Sequence, residues 1–299
     1  MLKVKPPTLP AKPGRLPERK LVTIALGILA SDGVVVAADT QETVQGYWKR
    51  KEGKIAVAET GEGSVLVSSA GRAGYADALT QTILKEFLIA TKWSSGPLEK
   101  SIGKIVREFH RQNVVPYADV PEVQTLIAWQ RTGQKQARLL TTDRGAIVDA
   151  TGHKGQASIG IGAGHVQPIL DHIYELPDDV TVMTAAVLAS YCVFEAKQHV
   201  DGCGHLTHVA WLKGGRVYGL ARVYTRALES VFEAYAESIS RDVLRFTLGF
   251  GDNEVSEKTM RLLKSCRTAI AKVVARASAD PPILRRSKRG PKGQPPSQE

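Results

Sequence analysis

Two kinds of hydrophobic spacing alternate along the chain. In residues 21–39, VTIALGIL and VVVAAD are β-branched or apolar runs, and Ser31-Asp32-Gly33 between them carries turn chemistry, so the segment predicts a strand pair. GKIAVAE and GSVLVSSAG predict a second pair around Thr60-Gly61-Glu62-Gly63. The period then lengthens. Tyr75, Leu79, Ile83, Phe87 and Ala90 fall at helical spacing over residues 73–92, and Ile102, Ile105, Val106 and Phe109 mark a second helix over 97–114 with Lys and Arg opposite. Strands resume at VQTLIAWQ, ARLLTTD, AIVDAT and ASIGIG. Two helices follow in HVQPILDHIYE and TVMTAAVLASYCVFEAKQHV, the second apolar nearly all round, as a buried helix is. HVAWLKGGRVYGLARV predicts a last strand pair turning at Gly214-Gly215, and residues 225–276 predict two amphipathic helices broken at Gly249-Phe250-Gly251-Asp252-Asn253. Paired strands with helices inserted in pairs predict an α+β layered sandwich; the strand–helix alternation of a parallel sheet is absent.

Composition changes this picture mainly at the ends. The 299 residues are 43% hydrophobic, enough for a sizeable core, and no apolar run reaches the ~18 residues that a membrane span needs. Charges and prolines stand where a secretory signal would be apolar, so no export and no membrane are expected. Three scattered cysteines, Cys192, Cys203 and Cys266, predict no disulfide framework and a reducing, cytoplasmic setting. The net charge of +10 resembles a nucleic-acid signal until it is located: residues 1–20 hold +5 and residues 277–299 hold +3. Both ends are rich in Pro and Gly and poor in aromatics, the composition of solvated, disordered segments, which is preferred to a nucleic-acid-binding arm. The expected organisation is a basic leader (1–20), a main domain (21–224), a helical extension (225–276) and a basic tail (277–299).

Two constellations invite chemistry and keep a plainer reading. His199, Cys203, His205 and His208 are all metal-capable, but their spacing matches no closed zinc motif, and a rim of loop residues is preferred. Gly160-Ile161-Gly162-Ala163-Gly164-His165 lacks the third glycine of a dinucleotide fingerprint and the Lys-Ser/Thr of a phosphate loop, so a tight turn into a helix is expected. The extension helices read first as a cap on the subunit, with docking of a partner as the alternative.

The opening strand pair carries a sharper signal. Thr23-Ile24-Ala25-Leu26-Gly27-Ile28 followed by DGVVVAAD at 32–39, then Lys54-Ile55, SSAGRAGYADAL at 68–79, the glycine-rich segment from Ser158 to Gly164 and AKQ at 196–198, is similar to proteasome α and β subunits and their bacterial relatives, in order and spacing, over residues 21–224. The resemblance implies an N-terminal-nucleophile hydrolase: a four-layer αββα sandwich of two antiparallel sheets between helix pairs, assembled into homo- or hetero-oligomeric rings or stacks, with an ATPase or regulatory protein as a further partner. It implies that Thr23, freed as the N-terminal residue, is a nucleophile whose own amine takes the hydroxyl proton, with no cofactor and no metal. Lys54 then tunes the hydroxyl, Asp39 orients Lys54, the Gly71 amide stabilises the oxyanion and Asp201 is a polar helper. Taken singly, Thr23 is an ordinary strand residue, Asp39 a turn former and Lys54 a solvated lysine; it is the three in order that point to chemistry.

Departures from the family pattern leave two functions open. Val22, where self-processing relatives carry glycine, resists the strained backbone of an amide-to-ester shift. Asp39 and Lys54 are 15 positions apart, one fewer than usual; Ala163 replaces a serine; and Val200, Asp201 and Cys203 stand where an aspartate and a second serine are expected. ALGI with DGVVVAAD also resembles the non-catalytic α subunits. The candidate threonine endopeptidase, acting on peptides or unfolded proteins, therefore stands beside a non-catalytic scaffold or partner-binding subunit that keeps its leader.

Overall fold

The computed structural model describes residues 23–44, 48–51, 53–90, 93, 95–116, 123–143, 145–151, 155–173, 180–247 and 253–279. The expected disordered leader and most of the basic tail lie outside them.

The opening hairpin is β1 (Ile24–Ala30) and β2 (Gly33–Asp39), antiparallel in a register that sets Leu26 opposite Ala37. Its turn carries a second duty: Asp32 Oδ1 accepts from the amide of Val182, 2.8 Å away, and so docks the turn on the helix that begins there. A short polar pair follows, β3 (Gln41–Val44) and β4 (Trp48–Lys51), which forms a separate two-stranded ribbon. Then come β5 (Ile55–Glu59), β6 (Gly63–Gly71), α1 (Ala73–Ile89), α2 (Ser95–Asn113), β7 (Val123–Arg131), β8 (Ala137–Asp143), β9 (Ala146–Asp149) and β10 (Gln156–Gly160). The chain closes with α3 (Ala163–Ile173), α4 (Val182–His199), β11 (Thr207–Lys213), β12 (Arg216–Gly219), α5 (Arg222–Thr247) and α6 (Asn253–Ala279).

Two five-stranded antiparallel sheets result, ordered β10-β1-β2-β11-β12 and β5-β6-β7-β8-β9. The fold is an α+β sandwich of the expected four layers, and alternation along each strand explains the layering. In β6 and β7, Leu66, Ala70, Leu126 and Ala128 meet Val34, Val36, Leu139 and Leu212 between the sheets. The intervening Val65, Val67, Ile127 and Trp129 face outward against Leu79, Ile83, Phe87, Trp93 and Ile102 of the α1–α2 layer. On the other sheet, Leu26, Val35, Ala37 and Val209 pack against α3 and α4 through Val166, Leu170, Ala185, Ala189 and Val193. Burial on both sides is why α4 is apolar nearly all round.

The extension helices join this last layer. Leu228 and Phe232 of α5 and Ala277 of α6 belong to the same core cluster as α4, and the partly buried Ile270 and Val273 of α6 pack against it. Among the described residues, no helix is long and apolar enough to cross a membrane.

Candidate functional site

The site lies where strand ends of both sheets converge. Thr23 immediately precedes β1, and Asp39 ends the neighbouring β2, so the hairpin brings the two together across the ladder. Lys54 enters from the other sheet, one residue before β5. Thr23 Oγ1 donates to Asp39 Oδ1 at 2.6 Å, Lys54 Nζ donates to Asp39 Oδ1 at 2.7 Å, and Lys54 also donates to Thr23 Oγ1. A hydroxyl is thereby held between a carboxylate that accepts its hydrogen bond and an ammonium that donates to its lone pairs.

Asp39 is completely buried, and backbone groups fix it from three directions. The amide of Ile24 donates to Oδ1 at 3.2 Å, while those of Gln41 and Gly204 donate to Oδ2 at 3.2 and 3.0 Å. A buried carboxylate needs such partners, because unpaired charge in this setting is expensive. Lys54 keeps only 11% of its side-chain surface exposed, and its ammonium pairs with the buried Asp39 carboxylate. Thr23 is 3% exposed with Val22 still attached, which leaves its hydroxyl little access to solvent in the uncut chain.

The two other expected residues are placed differently. Ile55 pairs with Ser68, so the antiparallel register puts Gly71 at the end of β6 that lies beside the Lys54 end of β5. Asp201 is exposed on the turn after α4. Its neighbour three residues on, Gly204, is the one whose amide reaches Asp39. Gly204 and Gln41 are contacts that side-chain motifs do not reveal, since any residue type can present an amide; the small residues of Gly202-Cys203-Gly204 are the available signal. A Cβ on Gly204 would lie 2.3 Å from Gln41 Oε1, so a side chain there would need the Gln41 amide to move aside.

The glycine-rich segment frames Thr23 from the other side. Gly160 has φ +91°, and a Cβ there would sit 2.3 Å from the Thr23 carbonyl oxygen. The Gly162 amide donates to that same oxygen at 3.3 Å. The segment is the expected tight turn into a helix, and its close contact is with the backbone of Thr23.

The histidine–cysteine constellation is dispersed by the fold. Cys203 is buried against Gly162, and burial first, then the Asp39 charge, push its thiol up to about 12, which keeps it protonated. His205 is exposed in a left-handed turn at φ 61°, and His208 lies within β11, its pKa lowered by burial and then by Arg222. His199 meets His165 instead, with ring centroids 5.1 Å apart.

No protein-family model matches the chain, and no curated protein matches it by sequence. Solved structures do. Anbu (ancestral beta-subunit) from Yersinia bercovieri is similar with a TM-score of 0.62 and 18% identity, covering 73% of this chain and 97% of that one. Anbu from Hyphomicrobium sp. strain MC1 gives 0.58 and 18%, covering 77% and 98%. The structure titled as the helical assembly of the Anbu complex from Pseudomonas aeruginosa gives 0.61 and 15%, covering 73% and 96%. These likenesses bear on the fold. They also correct the expected assignment to the proteasome α/β subunits: no family model places the chain there, and the similar structures named here are Anbu proteins, which are proteasome-like relatives. The physical reason is that the hairpin, the Lys54 approach and the glycine turn follow from the sandwich fold, and a fold does not by itself assign a chain to one group of proteins that share it.

Proposed function

We propose that the chain is a proteasome-related, threonine-type peptidase that becomes competent when the bond between Val22 and Thr23 is cut. The observation that carries this reading is the bonding of one buried hydroxyl, Thr23 Oγ1, to both Asp39 and Lys54. An amide nitrogen cannot act as base, but the freed amine of Thr23 can: in an unfolded chain such amines titrate near ~8, so a neutral fraction exists at cellular pH. That amine takes the hydroxyl proton as Oγ1 attacks a substrate carbonyl. The Lys54 charge stabilises the developing oxyanion of the nucleophile, and the Gly71 amide is assigned to the tetrahedral oxygen. The amine then returns the proton to the departing peptide amine, and water hydrolyses the ester on Thr23. Asp39, held by three amides, keeps Lys54 and Oγ1 in register throughout; Asp201 has no assigned step.

The likeness to a protein described as a helical assembly supports a multi-subunit, stacked state for this chain. A non-catalytic subunit is the second reading. It is favoured by Val22 before the threonine and by the 3% exposure of Thr23 in the uncut chain. Peptide hydrolysis by purified protein separates the two. Thr23→Ala and Lys54→Ala are expected to lower the rate by at least about a hundredfold, the scale on which single electrostatic groups act. Equal rates in wild type and Thr23→Ala would defeat the peptidase reading.

A further inference from the structure

Behind Thr23, on the outer helix layer, three side chains converge that the proposed chemistry does not use. His165 is the third residue of α3, and Glu195 and His199 stand one turn apart on α4. Helical residues four apart share a face, so Glu195 and His199 both project toward α3. The His199 Nε2 and a Glu195 oxygen are 3.5 Å apart, and one ligand atom from each of His165, Glu195 and His199 lies within 4.8 Å of the other two.

We propose that His165, Glu195 and His199 form a Zn2+ site that staples α3 to α4. Tetrahedral zinc with bonds of about 2.0–2.1 Å places its ligand atoms roughly 3.3 Å apart, so small side-chain rotations close the present spacing around an ion. Two imidazoles and one carboxylate suit zinc, and a water completes the fourth position. His199 is 58% exposed and Glu195 16%, which gives the ion a route in while one side of the site stays walled by protein. That wall is specific. Tyr191, one turn before Glu195 on the same face of α4, is partly buried and packs on Phe232, 5.3 Å between ring centroids, so its ring closes that side of the site.

The position gives the staple a consequence. His165 donates its amide to Gly162 O at 3.1 Å, and Gly162 in turn donates to Thr23 O. His199 ends α4, and the turn that follows carries Cys203 against Gly162 and Gly204 onto Asp39. An ion between α3 and α4 therefore clamps together the two turns that hold the backbone of Thr23 and the carboxylate of Asp39. The site rests on side-chain geometry alone and stands whichever function Thr23 serves.

The test uses the full chain, stripped with a chelator and dialysed against Zn2+. One ion per chain is expected. His165→Ala and His199→Ala should each weaken binding at least about tenfold, the loss that even outer-shell substitutions produce, while His205→Gly should leave it unchanged. If His165→Ala fails to fold, the exposed His199→Ala and the isosteric Glu195→Gln carry the comparison. Co2+ in place of Zn2+ should give a spectrum without a thiolate charge-transfer band. At about a hundredfold excess over Kd, Zn2+ should raise the Tm of the wild type by about 5 °C and leave His199→Ala unmoved. No Zn2+ uptake, uptake unaffected by both histidine substitutions, or a thiolate band would overturn the site; binding without any change in Tm would overturn the staple.

Discussion

Five donors aim at the Asp39 carboxylate: the Thr23 hydroxyl, the Lys54 ammonium and the amides of Ile24, Gln41 and Gly204. Asp39→Asn replaces an acceptor-only group with one that must turn two donors toward donors, and it removes the carboxylate from the buried Lys54 pair. A loss of about 3 kcal/mol of stability is expected, readable as a lower urea midpoint at unchanged m-value. Thr23→Ala removes only a hydroxyl and keeps the ion pair, so its stability should stay within about 1.5 kcal/mol of wild type. That the three side chains meet was legible through the resemblance, which gave them in order; the hydrophobic pattern alone marked only the strands beside them. The amides were not legible, since Gly204 and Gln41 contribute groups that every residue has. Asp201, which the resemblance offered as a polar helper one position displaced, has its side chain exposed on the turn.

At the scale of elements, alternation and helical spacing revealed the hairpins, both inner helix pairs and the extension helices. The ribbon of β3 and β4 escaped because QETV and WKRK are mostly polar in sequence and show no alternation of apolar and polar residues. The pairing of His165 and Glu195 with His199 escaped for another reason: it depends on how α3 crosses α4, and no spacing within one helix encodes that. The turn from β10 into α3 was visible as glycines, whereas its function as a seat for the Thr23 carbonyl required coordinates. Gly160→Ala tests that seat. Its φ of +91° and the 2.3 Å approach to Thr23 O predict a cost of about 2 kcal/mol or more, seen as a lower Tm, with any peptidase activity lost in parallel. Gly164→Ala, where a Cβ meets nothing within 4 Å, should cost far less.

Across the whole molecule, the layered core sets a window of pH stability. His208 is held neutral, its pKa below the ordinary 6.5, so the unfolded chain takes up that proton more readily. Stability is therefore full above about 6.5 and falls as pH drops toward the folded value; His208→Gln should flatten the acid limb of a Tm-versus-pH curve. On the alkaline side, Cys192 and Cys203 ionise near 9 when unfolded but only near about 12 in the fold, chiefly because both are buried. Stability is full below 9 and declines from there toward 12, and Cys203→Ser should shift that limb. Strand pairing predicted a layered α+β sandwich and the resemblance supplied its four layers, but neither separated one group of proteins with this fold from another, since a fold is shared among them. The central claim turns on one bond. Intact mass and N-terminal sequencing of the purified protein measure it directly: the account predicts a chain that begins at Thr23 and hydrolyses peptides, and a chain that keeps residues 1–22 when isolated from its own host would contradict it.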